Sequence, residues 1–139
     1  MTPSNRKAGH RRLVDMGTPE TGWSPELPPV DEWEQQFALS ENADYIQRFG
    51  YDEWNRLASW AVIQMRRDED GTWRRVAHYD VCHNKGLHIH LFNRQQEEFT
   101  QVAIRQVQSY EESERALDYA LERVVMHWQE NERRSDRGR

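Results

Sequence analysis

Between Ala77 and Leu91 the chain alternates apolar and polar residues on either side of a short polar break, Asn84-Lys85-Gly86, a pattern that reads as a β-hairpin. Loop length then decides which residues share a face. A three-residue loop, a type I turn closed by Gly86 in the left-handed region, pairs His83 with Leu87. That register gathers Ala77, Tyr79, Val81, Leu87, Ile89 and Leu91 on one face and His78, Asp80, Cys82, His88 and His90 on the other. A loop of even length sets Asp80 opposite Ile89 and Val81 opposite His88, mixing polar with apolar on both faces, so the hydrophobic pattern rejects it. In the favoured register Asp80 lies directly across from His90 and close to His88.

The elements around this hairpin follow from similar periodicities. Trp60 to Met65 alternate in a β-rich run that stops at Asp68-Glu69-Asp70-Gly71, which predicts a strand running into a hairpin turn. A second strand is expected from Trp73 to Cys82, a third from Leu87 to Phe92, and a fourth over Gln101 to Val107, where Val102 and Ile104 alternate with polar neighbours. Upstream, Trp33, Phe37, Tyr45, Ile46 and Phe49 are spaced as in one or two short helices, with Gly50 placed as a left-handed helix terminator. Downstream, Leu117, Leu121, Val124, Val125 and Trp128 define one face of an α-helix from about Ser109 to Glu130. Ser109 and Glu112 form a capping box there, and Glu111 with Arg115 a favourable i,i+4 pair. The expected fold class is α+β: a small antiparallel β-meander of three to four strands packed on a C-terminal amphipathic helix, with short N-terminal helices and disordered tails.

A chain of 139 residues has room for one core. All five prolines fall within the first 29 residues with no apolar periodicity, so residues 1–30 read as a disordered Pro-rich arm, 31–130 as a single α+β domain and 131–139 as a frayed basic tail. Residues 1–30 hold four basic and three acidic groups and residues 131–139 four and two; with a net charge of -5, the part between carries -8. An acidic body does not bind nucleic acid non-specifically, so any such activity needs a local patch or the tails; it would equally complement a basic protein. Arg66, Arg67, Arg74 and Arg75 bracket the first turn, either as a solvated edge or as phosphate contacts. No apolar run is long enough to span a bilayer, no apolar h-region follows the N-terminal charges, and the lone Cys82 has no internal disulfide partner. These features point to a cytoplasmic protein without a membrane partner.

The polar hairpin face is the candidate active site. A carboxylate beside two imidazoles can hold one ring in a defined tautomer while the other exchanges a proton, the chemistry of a general acid/base pair at neutral pH. The same groups suit a divalent metal such as zinc or manganese, because His-x-His on one strand projects both rings to one side; the ligand set is then His78, Asp80, His88 and His90, with Cys82 a further option. An exposed strand face carrying histidines without a role is the bland alternative, and for His83, beside the turn and facing the other way, it prevails. Lys85, the one lysine outside the arm, sits at the rim of the face.

The string Tyr79-Asp80-x4-Lys85-Gly86-x-His88-x-His90 resembles the signature of the TumE-like toxins, small prokaryotic toxins with a tyrosine-aspartate, a lysine-glycine and a His-x-His at this spacing. The likeness covers about residues 58 to 128. It departs from the family in the arm of residues 1 to 50 and at the less polar Val81-Cys82-His83-Asn84. The resemblance implies a toxin paired with a cognate antitoxin protein, an RNA substrate, and Tyr79, Asp80, Lys85, His88 and His90 as functional residues. It implies metal-independent ribonuclease chemistry without a cofactor, in which one of His88 and His90 takes the 2′-hydroxyl proton, the other protonates the leaving oxygen, Asp80 orients a ring and Lys85 stabilises the phosphorane. The alternatives are a non-catalytic binding module and a metal-dependent hydrolase. Oligomeric state is not fixed by the sequence, and a homo-oligomer stays open.

Overall fold

The computed structural model describes residues 23–82 and 86–138. They form one six-stranded antiparallel sheet and one long helix. The strands are β1 (Asp31–Ser40), β2 (Ala43–Tyr51), β3 (Leu57–Arg67), β4 (Trp73–Cys82), β5 (Gly86–Phe92) and β6 (Glu98–Arg105), followed by α1 (Tyr110–Arg137). Each strand pairs with the next, so the order in the sheet is the order in the chain. Among the described residues no helix is long and apolar enough to cross a membrane. The arm's first 22 residues and residues 83–85, which include His83 and Lys85, lie outside the described residues.

The sheet therefore has six strands where three or four were expected, and the two extra strands replace the expected N-terminal helices. The physical reason is that a spacing of four satisfies both periods. Trp33 and Phe37 fit one face of a helix, but they also fit alternate positions of a strand. In the sheet Trp33 lies opposite Phe49 and Phe37 opposite Tyr45, and the rings stack at centroid separations of 5.3 Å and 5.0 Å. Cross-strand aromatic pairs of this kind are worth about 0.2–1 kcal/mol each. Gly50 ends no helix; it sits in β2, where a Cβ would collide with Ser59 and Pro29. Residues 23–30 of the arm are held to the body by the Val30 amide on the Tyr51 carbonyl, by Glu26 on Arg56 and by the Trp23 ring packed edge-on against Tyr110 at 5.3 Å.

Helix α1 crosses β3, β4 and β5. Its start follows the capping box: Ser109 Oγ accepts from the Glu112 amide at 3.1 Å. The stripe it buries differs from the expected one, running through Ser113, Ala116, Leu117, Ala120 and Val124, while Val125 is 47% exposed. Small side chains at Ala116 and Ala120, both fully buried, let the helix lie close on Trp60, Val62, Tyr79 and Ile89. At His127 the backbone leaves helical geometry (φ −136°, ψ 26°), and the helix then continues to Arg137 instead of fraying after Glu130.

Polar bonds hold this last segment. Asn131 Nδ2 donates to Gln64 Oε1 (3.1 Å) and to the Tyr79 hydroxyl (3.2 Å), and Gln64 Nε2 donates to the Trp128 carbonyl (2.8 Å). Arg74 reaches Ser135 and Asp136. Arg74 can do so because β4 carries a bulge: Gln64 pairs with Ala77 but Met65 pairs with Arg75, leaving Val76 as the extra residue. Val76 and Ala77 are consecutive and both fully buried, so the alternation is reset there and Arg74 turns under the helix.

Replacing Asn131 by Ala leaves Gln64 Oε1 and the Tyr79 hydroxyl buried without that donor. The expected loss is about 1–3 kcal/mol, against less than about 0.5 kcal/mol for Val125→Ala on the exposed helix face; equilibrium urea unfolding of the two variants measures both.

Candidate functional site

The β4–β5 pairing places the site. Cys82 pairs with Gly86, Asp80 with His88 and His78 with His90, so the expected register is off by two. A shift of two preserves the side-chain alternation, and the division into faces survives it. Gly86 is in the left-handed region (φ +79°), and a Cβ there would strike the Arg105 carbonyl of β6. Glycine is needed at that position for both reasons.

Tyr79, Leu87, Ile89 and Leu91 face the helix and are buried. Tyr79 is therefore in the core, its hydroxyl on Asn131, and the strand alternation puts it on the opposite side of the sheet from Asp80. On the face away from the helix, Asp80 lies between two imidazoles: His78 Nε2 is 3.3 Å from Oδ2 and His90 Nε2 is 3.3 Å from Oδ1. The His78 and His90 rings meet edge to face at 5.7 Å. The other nitrogen of His90 is 3.3 Å from Glu98 Oε1 of β6. All four side chains keep some solvent contact, from 16% for His90 to 38% for Glu98.

His88 is placed differently. It is 1% exposed, faces Ala103 of β6, and its Nδ1 lies 3.0 Å from the Gly86 carbonyl, to which it donates. Its ring is 6.4 Å from that of His90. The structure thus brings together His78, Asp80 and His90, and buries His88 beside them, opposite Asp80 in the ladder.

The hydrogen bonds fix proton positions. A nitrogen facing a carboxylate oxygen must carry its proton, so His78 donates from Nε2 and its neutral form has Nδ1 as a free base. His90 faces carboxylates with both nitrogens, and only the imidazolium satisfies both. Burial alone raises the Asp80 carboxyl, but the hydrogen bonds and charges of His78 and His90 outweigh it and hold the group far below the ordinary aspartate value.

Two residues of this face were not singled out for it by sequence. Glu98 precedes the expected start of the fourth strand at Gln101, because Glu98-Phe99-Thr100 carries little β signal by itself. Arg75 was one of four turn arginines. The bulge separates them, sending Arg74 to the helix and Arg75 to the polar face, and nothing in the sequence announces a bulge. Arg66 pairs with Glu132 and Arg67 stacks over Trp73.

The β3–β4 ladder ends at Ala61 opposite Asp80. A cavity of about 230 Å³ opens there, lined by Trp23, Pro25, Ser59, Trp60, Asp80 and Ser113 among others. Among the described residues, no group of three or more His, Cys, Asp or Glu side chains is arranged to hold a metal ion. Comparison of the chain with protein-family models, with curated proteins and with solved structures gave no match.

Because Asp80 is depressed in the folded chain, its stabilising contribution is present above the unfolded value of about 3.9 and is lost as pH falls through the lower folded value. The stability gap between the wild-type chain and Asp80→Asn should therefore narrow as pH is lowered from 5 to 3. Urea midpoints taken across that range give the gap directly.

Proposed function

We propose that the chain cleaves RNA by general acid–base catalysis at His78, Asp80 and His90, without a metal, and serves as the toxin of a toxin–antitoxin pair. The observation that carries the chemistry is the Asp80 carboxylate held between the Nε2 atoms of His78 and His90 at 3.3 Å each, on the sheet face the helix leaves open. The toxin role rests on the signature resemblance, as do the antitoxin partner and the contribution of Lys85.

His78 is the base of this reading. Its Nδ1 takes the 2′-hydroxyl proton, the oxygen attacks the adjacent phosphorus, and Asp80 stabilises the imidazolium that forms. His90 is the acid. It gives a proton to the departing 5′-oxygen, which completes a 2′,3′-cyclic phosphate and a free 5′-hydroxyl. Glu98, the most exposed of the four at 38%, is the contact that the substrate oxygen displaces from His90 Nδ1. His88, buried opposite Asp80 on the same face, positions the strand pair through its bond to Gly86.

Incubated with generic RNA and excess chelator, the wild-type chain should produce cyclic-phosphate ends with a bell-shaped pH dependence. His78→Ala and His90→Ala should each lower the rate by about 10²–10⁴-fold. Expression of the wild type alone should arrest growth, and those variants should relieve the arrest. Cleavage lost with chelator and restored by zinc or manganese would establish the metal-dependent alternative, and folded protein that binds RNA without cleaving it the binding module.

A further inference from the structure

We infer that Arg75, with Arg48 on the same sheet face, is an anion anchor that seats a backbone phosphate of a single-stranded nucleic acid beside His78, Asp80 and His90. The inference takes that group as the reacting centre proposed above and assigns the surface next to it.

The placement follows from the bulge. Beyond Val76 the alternation of β4 is reset, so Arg75 follows His78 and Asp80 along the same face. On β5 that face carries His90 and then Phe92, and the Arg75 guanidinium lies over the Phe92 ring at 3.9 Å. Gln96 grips the Arg75 backbone from both sides, accepting from its amide at 2.8 Å and donating to its carbonyl at 2.9 Å. A guanidinium resting on a ring, on a backbone held in place, has lost part of its freedom already, so less is left to lose when it binds.

Its charge is poorly compensated. The neighbouring Arg74 pairs with Asp68 and Asp136, whereas among the described residues Arg75 has no carboxylate in ion-pair contact. Arg48, bound through Nε to Glu34 at 3.1 Å, lies across Ala61 from Asp80 and adds a second positive charge to the same face. Burial, opposed by Glu98 and reinforced by Arg48, pulls the Arg75 guanidinium below its ordinary value. Arginine does not deprotonate in response, so an anion that bonds to the partly buried guanidinium offsets the lost hydration. The flat fork of donors matches a phosphate oxygen pair. The acidic remainder of the body disfavours polyanion binding elsewhere on it.

The probe is a fluorescein-labelled 2′-deoxy oligonucleotide, which lacks the nucleophile for the proposed cleavage, titrated into full-length protein and followed by anisotropy at several salt concentrations. Arg75→Gln should weaken binding about tenfold at low salt and reduce the slope of log K against log salt by about 0.7, the loss of one single-strand phosphate contact. Arg75→Lys should keep the slope and lose part of the affinity. Arg94→Gln, an exposed arginine paired with Asp136, should bind like wild type. Unchanged affinity and slope in Arg75→Gln, an equal loss in Arg94→Gln, or no binding by the wild type at low salt would each overturn the anchor. Cleavage is scored separately: binding through Arg75 by a chain that leaves RNA intact keeps the anchor and refutes the nuclease reading.

Discussion

Tyr79 and Asp80 are adjacent in the chain, yet one is sealed under a helix and the other is bonded to two imidazoles on the opposite face. The pleat of β4 produces that separation, and the rest of the molecule depends on its being kept in step with β3 and β5. The helix fixes the phase, because Val62, Tyr79 and Ile89 must all reach Ala116 and Ala120 together. Once they do, His78, Asp80 and His90 have no choice of face. The bulge at Val76 then ends the pattern on purpose: it keeps two consecutive residues in the core and exchanges the faces of Arg74 and Arg75. One arginine becomes a clamp on the helix end, and the other borders the polar cluster.

The polar cluster is stable for electrostatic reasons that the core does not supply. A carboxylate withdrawn from water costs several kcal/mol unless it is compensated. Asp80 receives its compensation from His78 on its own strand and from His90 diagonally across the ladder, and Glu98 of the next strand balances the second nitrogen of His90. Three consecutive strands therefore contribute to one chain of hydrogen bonds. Such an arrangement aligns the two rings without any covalent or metal link, and it makes the position of each ring depend on the register of both hairpins.

How much of this was legible in the sequence depended on whether a signal was periodic. The separation of faces in residues 77 to 91 could be read because parity survives an error of two in register; Asp80 pairs with His88 instead of His90, and no residue changes side. The outer strands could not be read, since Trp33 with Phe37 and Tyr45 with Phe49 are spaced by four, which is common to a helix and a strand. The end of the helix was lost for the opposite reason. Asn131, Glu132 and Ser135 are buried but polar, and they are held by hydrogen bonds to Gln64, Arg66 and Phe92 that hydropathy does not register. The expected register leaves His78 away from His90, whereas the ladder makes the two direct partners.

The helix covers three strands of six, and this leaves the two halves of the sheet with different means of cohesion. β3, β4 and β5 are joined to α1 through a dry core and several buried polar bonds. β1 and β2 have no helix over them; Trp33 stacks on Phe49 and Tyr51, and Phe37 on Tyr45. These rings shield one another from water but stay near the surface, Trp33 at 43% and Phe37 at 38% exposure. Their local opening free energy is accordingly smaller than that of the covered strands, since few buried apolar contacts oppose it. Arg48 lies on β2, at the margin between these halves, while His78, Asp80 and His90 lie on strands that α1 covers from behind. On the proposed reading the reacting groups are thus carried by the most firmly held part of the sheet, and Arg48 by the part that yields most readily. With the proposed anchor, that division would let the outer hairpin adjust to a bound strand without disturbing the distances within the cluster.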